Sequence, residues 1–190
     1  MNRNCIVIHT QVYLLLPVFI LLLPDKWLLS CVAAATIHEG FHLMAIRLFN
    51  IKILKIEIGI FGAEIETETM DRYKELIIAL AGPVGALLTL MFSRYIPRIS
   101  LCVIAQTAYN LLPVYPLDGG RAMRCLLVSK IKMQKLVFAE KSVLYTIILC
   151  CALVSAFFKL GLLPIILGFS LLMKYRNANI PCKQCSDRVQ

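Results

Sequence analysis

Apolar runs long enough to cross a lipid bilayer recur along this chain of 190 residues. An α-helix crosses the hydrocarbon core, about 30 Å thick, with about 20 residues. Hydrophobic residues make up 59% of the chain, whereas soluble domains reach only about 45–50%. The sequence therefore predicts an all-α polytopic membrane protein and excludes a disordered chain. We expect about six transmembrane helices, over residues 6–23, 27–49, 76–95, 99–115, 137–158 and 161–173.

Several details of this topology stay open. The last run is short, so five spans or a re-entrant segment is an alternative, and Gly82-Pro83 interrupts the third run. The first run lacks the small-residue cleavage site of a signal peptide, and we interpret it as a retained anchor. We expect one transmembrane domain over 1–175 and a short polar cytoplasmic tail over 176–190. The role of the Cys182-x-x-Cys185 pair in this tail stays open, since a zinc ribbon needs two such pairs.

Basic residues are distributed unevenly between the two sides that six spans would define. Sixteen of the 20 lysines and arginines lie at the N-terminus, in 47–74, in 121–141 and in 174–190, after the last run. Cytoplasmic loops carry such an excess, so we expect a multi-pass protein of the cell membrane with both termini in the cytoplasm. The lipid bilayer is then a partner. Nucleic acid is not, because the sequence lacks a basic face with interleaved aromatic residues.

A different pattern separates the second and third runs. Apolar and other residues alternate over 51–53, 56–60 and 64–68, with many β-branched side chains, and the Phe61-Gly62-Ala63 segment resembles a turn. Period-two alternation is typical of strands. We therefore expect a small β-hairpin between spans 2 and 3, on the cytoplasmic face.

The sequence His38-Glu39-Gly40-Phe41-His42 lies inside the second run. Residues four apart share one face of a helix, so the two imidazoles can bind one zinc ion side by side. Glu39 can then act as general base toward a water at the metal. Ionisable residues inside a transmembrane span are costly and usually functional. A buried polar network that joins helices is the structural alternative.

A catalytic zinc site needs a third protein ligand. The candidate is Asp118, which lies in a segment with two prolines and two glycines near the end of the fourth run. Irregular backbone at this depth is tolerated where protein or a water-filled cavity surrounds it. Asp118 is thus a plausible metal ligand, although a helix N-cap is an alternative role. Both motifs lie near the predicted cytoplasmic ends of their spans.

The two motifs together resemble those of the site-2 proteases, which are intramembrane zinc metalloproteases of peptidase family M50. The resemblance rests on His-Glu-x-x-His in the second run and on Asn110-x-x-Pro113 followed by Pro116-Leu117-Asp118-Gly119. The hairpin and the Ala81-Gly82-Pro83 segment extend it over most of the chain. The arrangement of this chain, with a span before the histidine motif and without an inserted PDZ domain, is most similar to the stage IV sporulation protein FB branch of Gram-positive bacteria. Two departures are Phe41, where the family commonly has glycine, and Tyr115, near which it often has proline.

The resemblance implies roles for particular residues. His38, His42 and Asp118 would bind one Zn²⁺ ion, Glu39 would be the catalytic base, and Asn110 would position the substrate or the oxyanion. The hairpin would offer an edge strand to an extended substrate segment. The substrate would be a transmembrane or membrane-associated protein, such as a membrane-tethered sigma-factor precursor in sporulation. Inhibitory or regulatory membrane proteins would be further partners.

Two other classes of function stay open. A catalytically inactive relative could act as a membrane scaffold, although such a protein has no chemical need for Glu39. A metal or ion transporter would use similar polar residues, but it should distribute them along a path over several spans. Here they concentrate in two spans at one depth, which favours a single site.

Overall fold

The computed structural model describes residues 5–8, 24–59, 62–158 and 163–179. The chain forms two compact units, Met1–Leu111 and Leu112–Gln190. The predicted division into a domain over 1–175 and a tail over 176–190 stays a prediction, and residues 180–190, with Cys182 and Cys185, lie outside the described residues. In chain order the elements are β1 Cys5–Ile8, α1 Asp25–Leu48, β2 Ile53–Gly59, β3 Gly62–Thr67, α2 Arg72–Leu88, a 3₁₀ turn Thr89–Phe92, α3 Pro97–Asn110, α4 Asp118–Leu127, α5 Met133–Phe158 and α6 Leu163–Asn179.

Small side chains bring together the helices α1, α2 and α3 of the first unit. Ala34 of α1, Ala86 of α2 and Val103 of α3 form a buried cluster in which each is 1% exposed. Helix association in lipid depends on close van der Waals packing, which small residues allow. This packing fixes α1, which carries the His-Glu-x-x-His sequence, against both other helices.

The β-sheet of the first unit has three strands. β2 pairs antiparallel with β3, which confirms the predicted hairpin, and β1 pairs parallel with the other edge of β2. The hairpin packs onto the end of α1 and the start of α2, because Ile53 and Ile65 contact the buried cluster of Ala45, Ile46 and Ile78. The sheet therefore lies against the helix turn that follows His42.

The second unit contains α4, α5 and α6. Its buried residues include Leu136 and Leu144 of α5 and Leu171 of α6, each at most 2% exposed. α5 and α6 approach closely at Gly168, where an added Cβ would lie 3.6 Å from the Cβ of Cys151. A long apolar helix and a close helix contact of this kind are typical of membrane proteins.

Three of the described helical segments are long and apolar enough to cross a membrane: Asp25–Leu48, Arg72–Phe92 and Met133–Ser155. Large apolar side chains on these segments stay exposed, as a lipid-facing surface requires; examples are Leu29, Met44, Met91, Phe138 and Leu149. These segments agree with three of the six predicted runs. The count of six spans is not confirmed.

Three details of the predicted spans are wrong. Ile6, the expected start of the first run, lies in β1, while residues 9–23 lie outside the described residues. The expected interruption at Gly82-Pro83 does not occur, since α2 continues through Pro83 to Leu88; neighbouring helices can satisfy the backbone groups that proline frees. The fourth run is helical over only 14 residues, or about 21 Å, because the prolines that follow end the helix.

The packing of α1 on α3 can be tested through two thiols. The Sγ atoms of Cys31 on α1 and Cys102 on α3 lie 3.3 Å apart. We expect a membrane-permeant oxidant such as diamide to join them in a disulfide, each thiol losing its hydrogen to the oxidant. Peptide mapping by mass spectrometry should find the Cys31–Cys102 linkage in the wild type and lose it in Cys31→Ser. Persistent free thiols at both positions under full oxidation would contradict the packing.

Candidate active site

The two histidines of the motif lie side by side on α1. His38 is 1% exposed and His42 is 6% exposed. Their ring centroids are 4.9 Å apart, and their Nε2 atoms are 3.2 Å apart. The helical repeat of 3.6 residues places positions 38 and 42 on one face, one turn apart. The structure therefore confirms the face-sharing that the spacing predicts.

The protonation of His42 follows from its hydrogen bond. His42 Nδ1 donates to the carbonyl oxygen of Ile78 on α2, at 2.7 Å. A carbonyl oxygen only accepts, so the ring proton belongs on Nδ1 and the lone pair on Nε2. Metal-binding histidines usually make such a bond with the nitrogen that does not bind the metal. Ile78 is a functional contact that sequence reasoning missed.

Two glycines of α2 make room for the motif helix. An added Cβ at Gly82 would come within 2.6 Å of the Cδ2 and Cε1 atoms of the His42 ring. An added Cβ at Gly85 would come within 2.5 Å of Cδ2 in the Phe41 ring. Phe41, the departure noted in the motif, is therefore accommodated by Gly85.

Glu39 and Gly40 complete the motif on α1. Glu39 is half-buried, next to His38 in sequence, whereas Gly40 is exposed. A Cβ added at Gly40 would have no heavy atom within 4 Å. The motif helix thus has one face packed at the histidines and another that is open at Gly40.

Asn110 is the last residue of α3, and its side chain reaches the motif. Asn110 Nδ2 donates to Nε2 of His38, at 3.0 Å. The amide of Asn110 and both imidazole Nε2 atoms therefore converge. The prediction that Asn110 belongs near the site agrees with this geometry, while its role toward substrate stays a prediction.

Asp118 is the first residue of α4, in the second unit. Leu117 occupies the N-cap position, so Asp118 lies within the first helical turn and is not the cap. The turn that precedes it is pinned by the buried side chains of Val114 and Leu117 and by a hydrogen bond from Leu117 N to Val114 O at 3.0 Å. A carboxylate in the first turn of a helix is favourably placed in the helix dipole.

The three candidate ligands are two imidazoles of the first unit, His38 and His42, and the carboxylate of Asp118 in the second unit. Asp118 is half-buried. Two imidazoles and a carboxylate are a donor set that suits zinc and leaves a fourth position open. In a tetrahedral site with Zn–N distances of about 2.05 Å, two nitrogens lie about 3.3 Å apart. The 3.2 Å separation of the Nε2 atoms fits this value.

Comparison with known proteins points to one class. No protein-family model matches the chain. A zinc metalloprotease of Methanocaldococcus jannaschii is 26% identical over 111 residues, which cover 51% of this chain and 33% of that relative. The solved structure of a site-2 protease from Methanocaldococcus jannaschii matches with a TM-score of 0.72 at 20% identity, over 91% of this chain and 89% of the other.

The structural match shows that the chain has the fold of a site-2 protease. The sequence match relates this chain to that zinc metalloprotease over a segment that spans about a third of the relative's length. Neither comparison supports the sporulation branch in particular. The sequence match and the structural match thus both lead to proteins described as a zinc metalloprotease or a site-2 protease.

Proposed function

We propose that this chain is an intramembrane zinc metalloprotease, which hydrolyses peptide bonds of a transmembrane or membrane-associated protein. The carrying observation is the buried pair of imidazoles whose Nε2 atoms lie 3.2 Å apart, with His42 fixed by Ile78 as the metal-binding tautomer. The fold and the sequence match support the same class.

In this proposal His38, His42 and Asp118 hold one zinc ion. Zinc bound there supplies Lewis-acid chemistry, which polarises a carbonyl and activates water near neutral pH. Glu39 removes a proton from the attacking water with its carboxylate and passes it to the leaving amine nitrogen.

Asn110 has a separate role in the proposal. Its Nδ2 donor already lies among the imidazole nitrogens, 3.0 Å from His38 Nε2. An amide donor there can stabilise negative charge that develops on the carbonyl oxygen of the substrate. Among the described residues β3 is an outer strand of the sheet, and such a strand can add an extended substrate segment by backbone hydrogen bonds. This matters because a helical peptide bond is shielded until the substrate unwinds.

Substrate and orientation are finer proposals. A membrane-tethered sigma-factor precursor is one substrate to include, and inhibitory membrane proteins are partners of the kind that the resemblance implies. We also propose that both termini lie in the cytoplasm, on the basis of the uneven basic charge. The sporulation role and a Gram-positive source are supported by the sequence resemblance alone.

The proposal is tested by metal content and cleavage together. Purified wild-type protein should carry about one zinc per chain, and His38→Ala/His42→Ala should carry almost none. Wild type should cleave a member of a panel of tagged single-span proteins, including a sigma-factor precursor, in co-expressing cells. Chelation by 1,10-phenanthroline should stop cleavage in membranes, and added zinc should restore it.

Each alternative function predicts a different result. A protein without zinc contradicts the metalloprotease and favours the inactive scaffold. Zinc uptake into proteoliposomes, without cleavage of co-reconstituted substrates, favours the transporter. Matched protein levels on immunoblots are the control for all variants.

A further inference from the structure

A buried ion pair lies in the second unit, away from the histidines in sequence. Arg124 of α4 donates from Nε to Glu140 Oε1 at 2.7 Å and from Nη2 to Oε2 at 2.6 Å. The side chains are 13% and 0% exposed, respectively. A two-pronged bond of this kind fixes the plane of the guanidinium as well as its distance. The pair therefore locks α4 to α5 in one orientation.

The same guanidinium holds the segment that leads to Asp118. Arg124 Cζ lies 3.9 Å from the centroid of the Tyr115 ring. A cation over an aromatic face within about 6 Å is attracted to it, more strongly where both are desolvated. Arg124 thus links Glu140 of α5 to Tyr115, three residues before Asp118.

The backbone of this segment is also pressed against α4. A Cβ added at Gly120 would come within 2.6 Å of the carbonyl oxygen of Val114. Arg121 N donates to Leu117 O at 2.9 Å. Asp118 is the first residue of α4. The turn before it contacts α4 at Gly120, and α4 itself is fixed to α5 by the Arg124–Glu140 ion pair.

We propose that Arg124, Glu140 and Tyr115 form a clamp that positions the Asp118 carboxylate as the third metal ligand. This inference rests on the proposed function. Arg124 and Glu140 are positioning residues, since they act through the segment 115–118 and its helix. The strength of zinc binding then depends on an ion pair that includes none of the three ligands.

The test measures zinc dissociation constants of purified full-length variants by competition with a chelator. Partners outside the ligand set typically change metal affinity by about 10–100-fold. We expect weakening in this range for Glu140→Gln and Tyr115→Leu, and a smaller loss for Tyr115→Phe, which keeps the ring. Arg124→Lys should weaken binding as well, because an ammonium cannot form both bonds of the fork.

A double-mutant cycle separates positioning from general stability. If the clamp acts through Asp118, Glu140→Gln should have no further effect on zinc affinity in an Asp118→Ala background. Leu144→Ala is the structural control, since Leu144 is 1% exposed on α5, four residues after Glu140. It should lower thermal stability and leave zinc affinity of the folded protein unchanged.

The outcomes distinguish the two proposals. If Glu140→Gln and Arg124→Lys bind zinc as tightly as the wild type does, the clamp is overturned. The proposed metalloprotease function is not affected by that result. Additive losses for Glu140→Gln and Asp118→Ala also overturn it. A wild type that binds no zinc overturns the proposed function itself.

Discussion

Replacing Glu39 by glutamine should abolish peptide hydrolysis and leave zinc in place. Glutamine keeps the size of the side chain and its helix propensity but cannot accept a proton at neutral pH. Glu39 is half-buried, next to His38 in sequence, and is not one of the three proposed ligands. General acid–base catalysis contributes about 10²–10⁴-fold to rate. We therefore expect cleavage to fall by at least about 100-fold.

The measurement compares cleavage rate and zinc content of wild type and Glu39→Gln in the same membranes. Glu75→Gln is the matched control, because Glu75 is another half-buried glutamate, in the first turn of α2. It should change neither quantity. Undiminished cleavage by Glu39→Gln would rule out Glu39 as the base. Loss of zinc together with activity would instead indicate that Glu39 contributes to metal binding.

The helical placement of the histidines follows from local sequence. Four-residue spacing on a helix brings His38 and His42 to one face wherever that helix packs, so the sequence suffices to predict it. The alternation in 51–68 likewise suffices for the β2–β3 hairpin. The four residues of β1 could not be distinguished from the start of an apolar span, because a short run of Ile and Val suits both.

Contacts between distant residues could not be predicted in the same way. Ile78 binds His42 through a backbone carbonyl, which leaves no mark on the residue type. From the sequence, Gly82 was expected only to interrupt a helix. In the structure it leaves room for the ring of His42, which lies over it. Arg124 and Glu140 are 16 residues apart, and a helix end separates them. The sequence does hold a signal for the end of α3 at Asn110, since Pro113 and Pro116 disfavour helix before them, but the predicted run continued to residue 115.

Replacing Gly82 by alanine should weaken zinc binding although none of the proposed ligands is replaced. The methyl group would overlap the imidazole of His42 at Nε2, while Nδ1 of the same ring donates to the carbonyl oxygen of Ile78. The ring must therefore leave its place, or α2 must separate from α1 against the packing of Ala34 and Ala86. We expect zinc affinity to fall by about 100-fold, the upper end of the range for changes around a metal site.

Two further glycine variants make this prediction specific to His42. Gly40→Ala adds the same methyl group on the motif helix, where no heavy atom lies within 4 Å, and should retain zinc. It should even raise stability, since alanine favours a helix over glycine by about 0.5–1 kcal/mol. Gly85→Ala forces the α1–α2 contact apart at Phe41, three residues further along α2, and should lower thermal stability more than zinc affinity. Equal loss of zinc in Gly82→Ala and Gly85→Ala would attribute the effect to helix separation. Loss in Gly82→Ala alone would show that the absence of one methyl group on α2 keeps His42 in position to bind the metal.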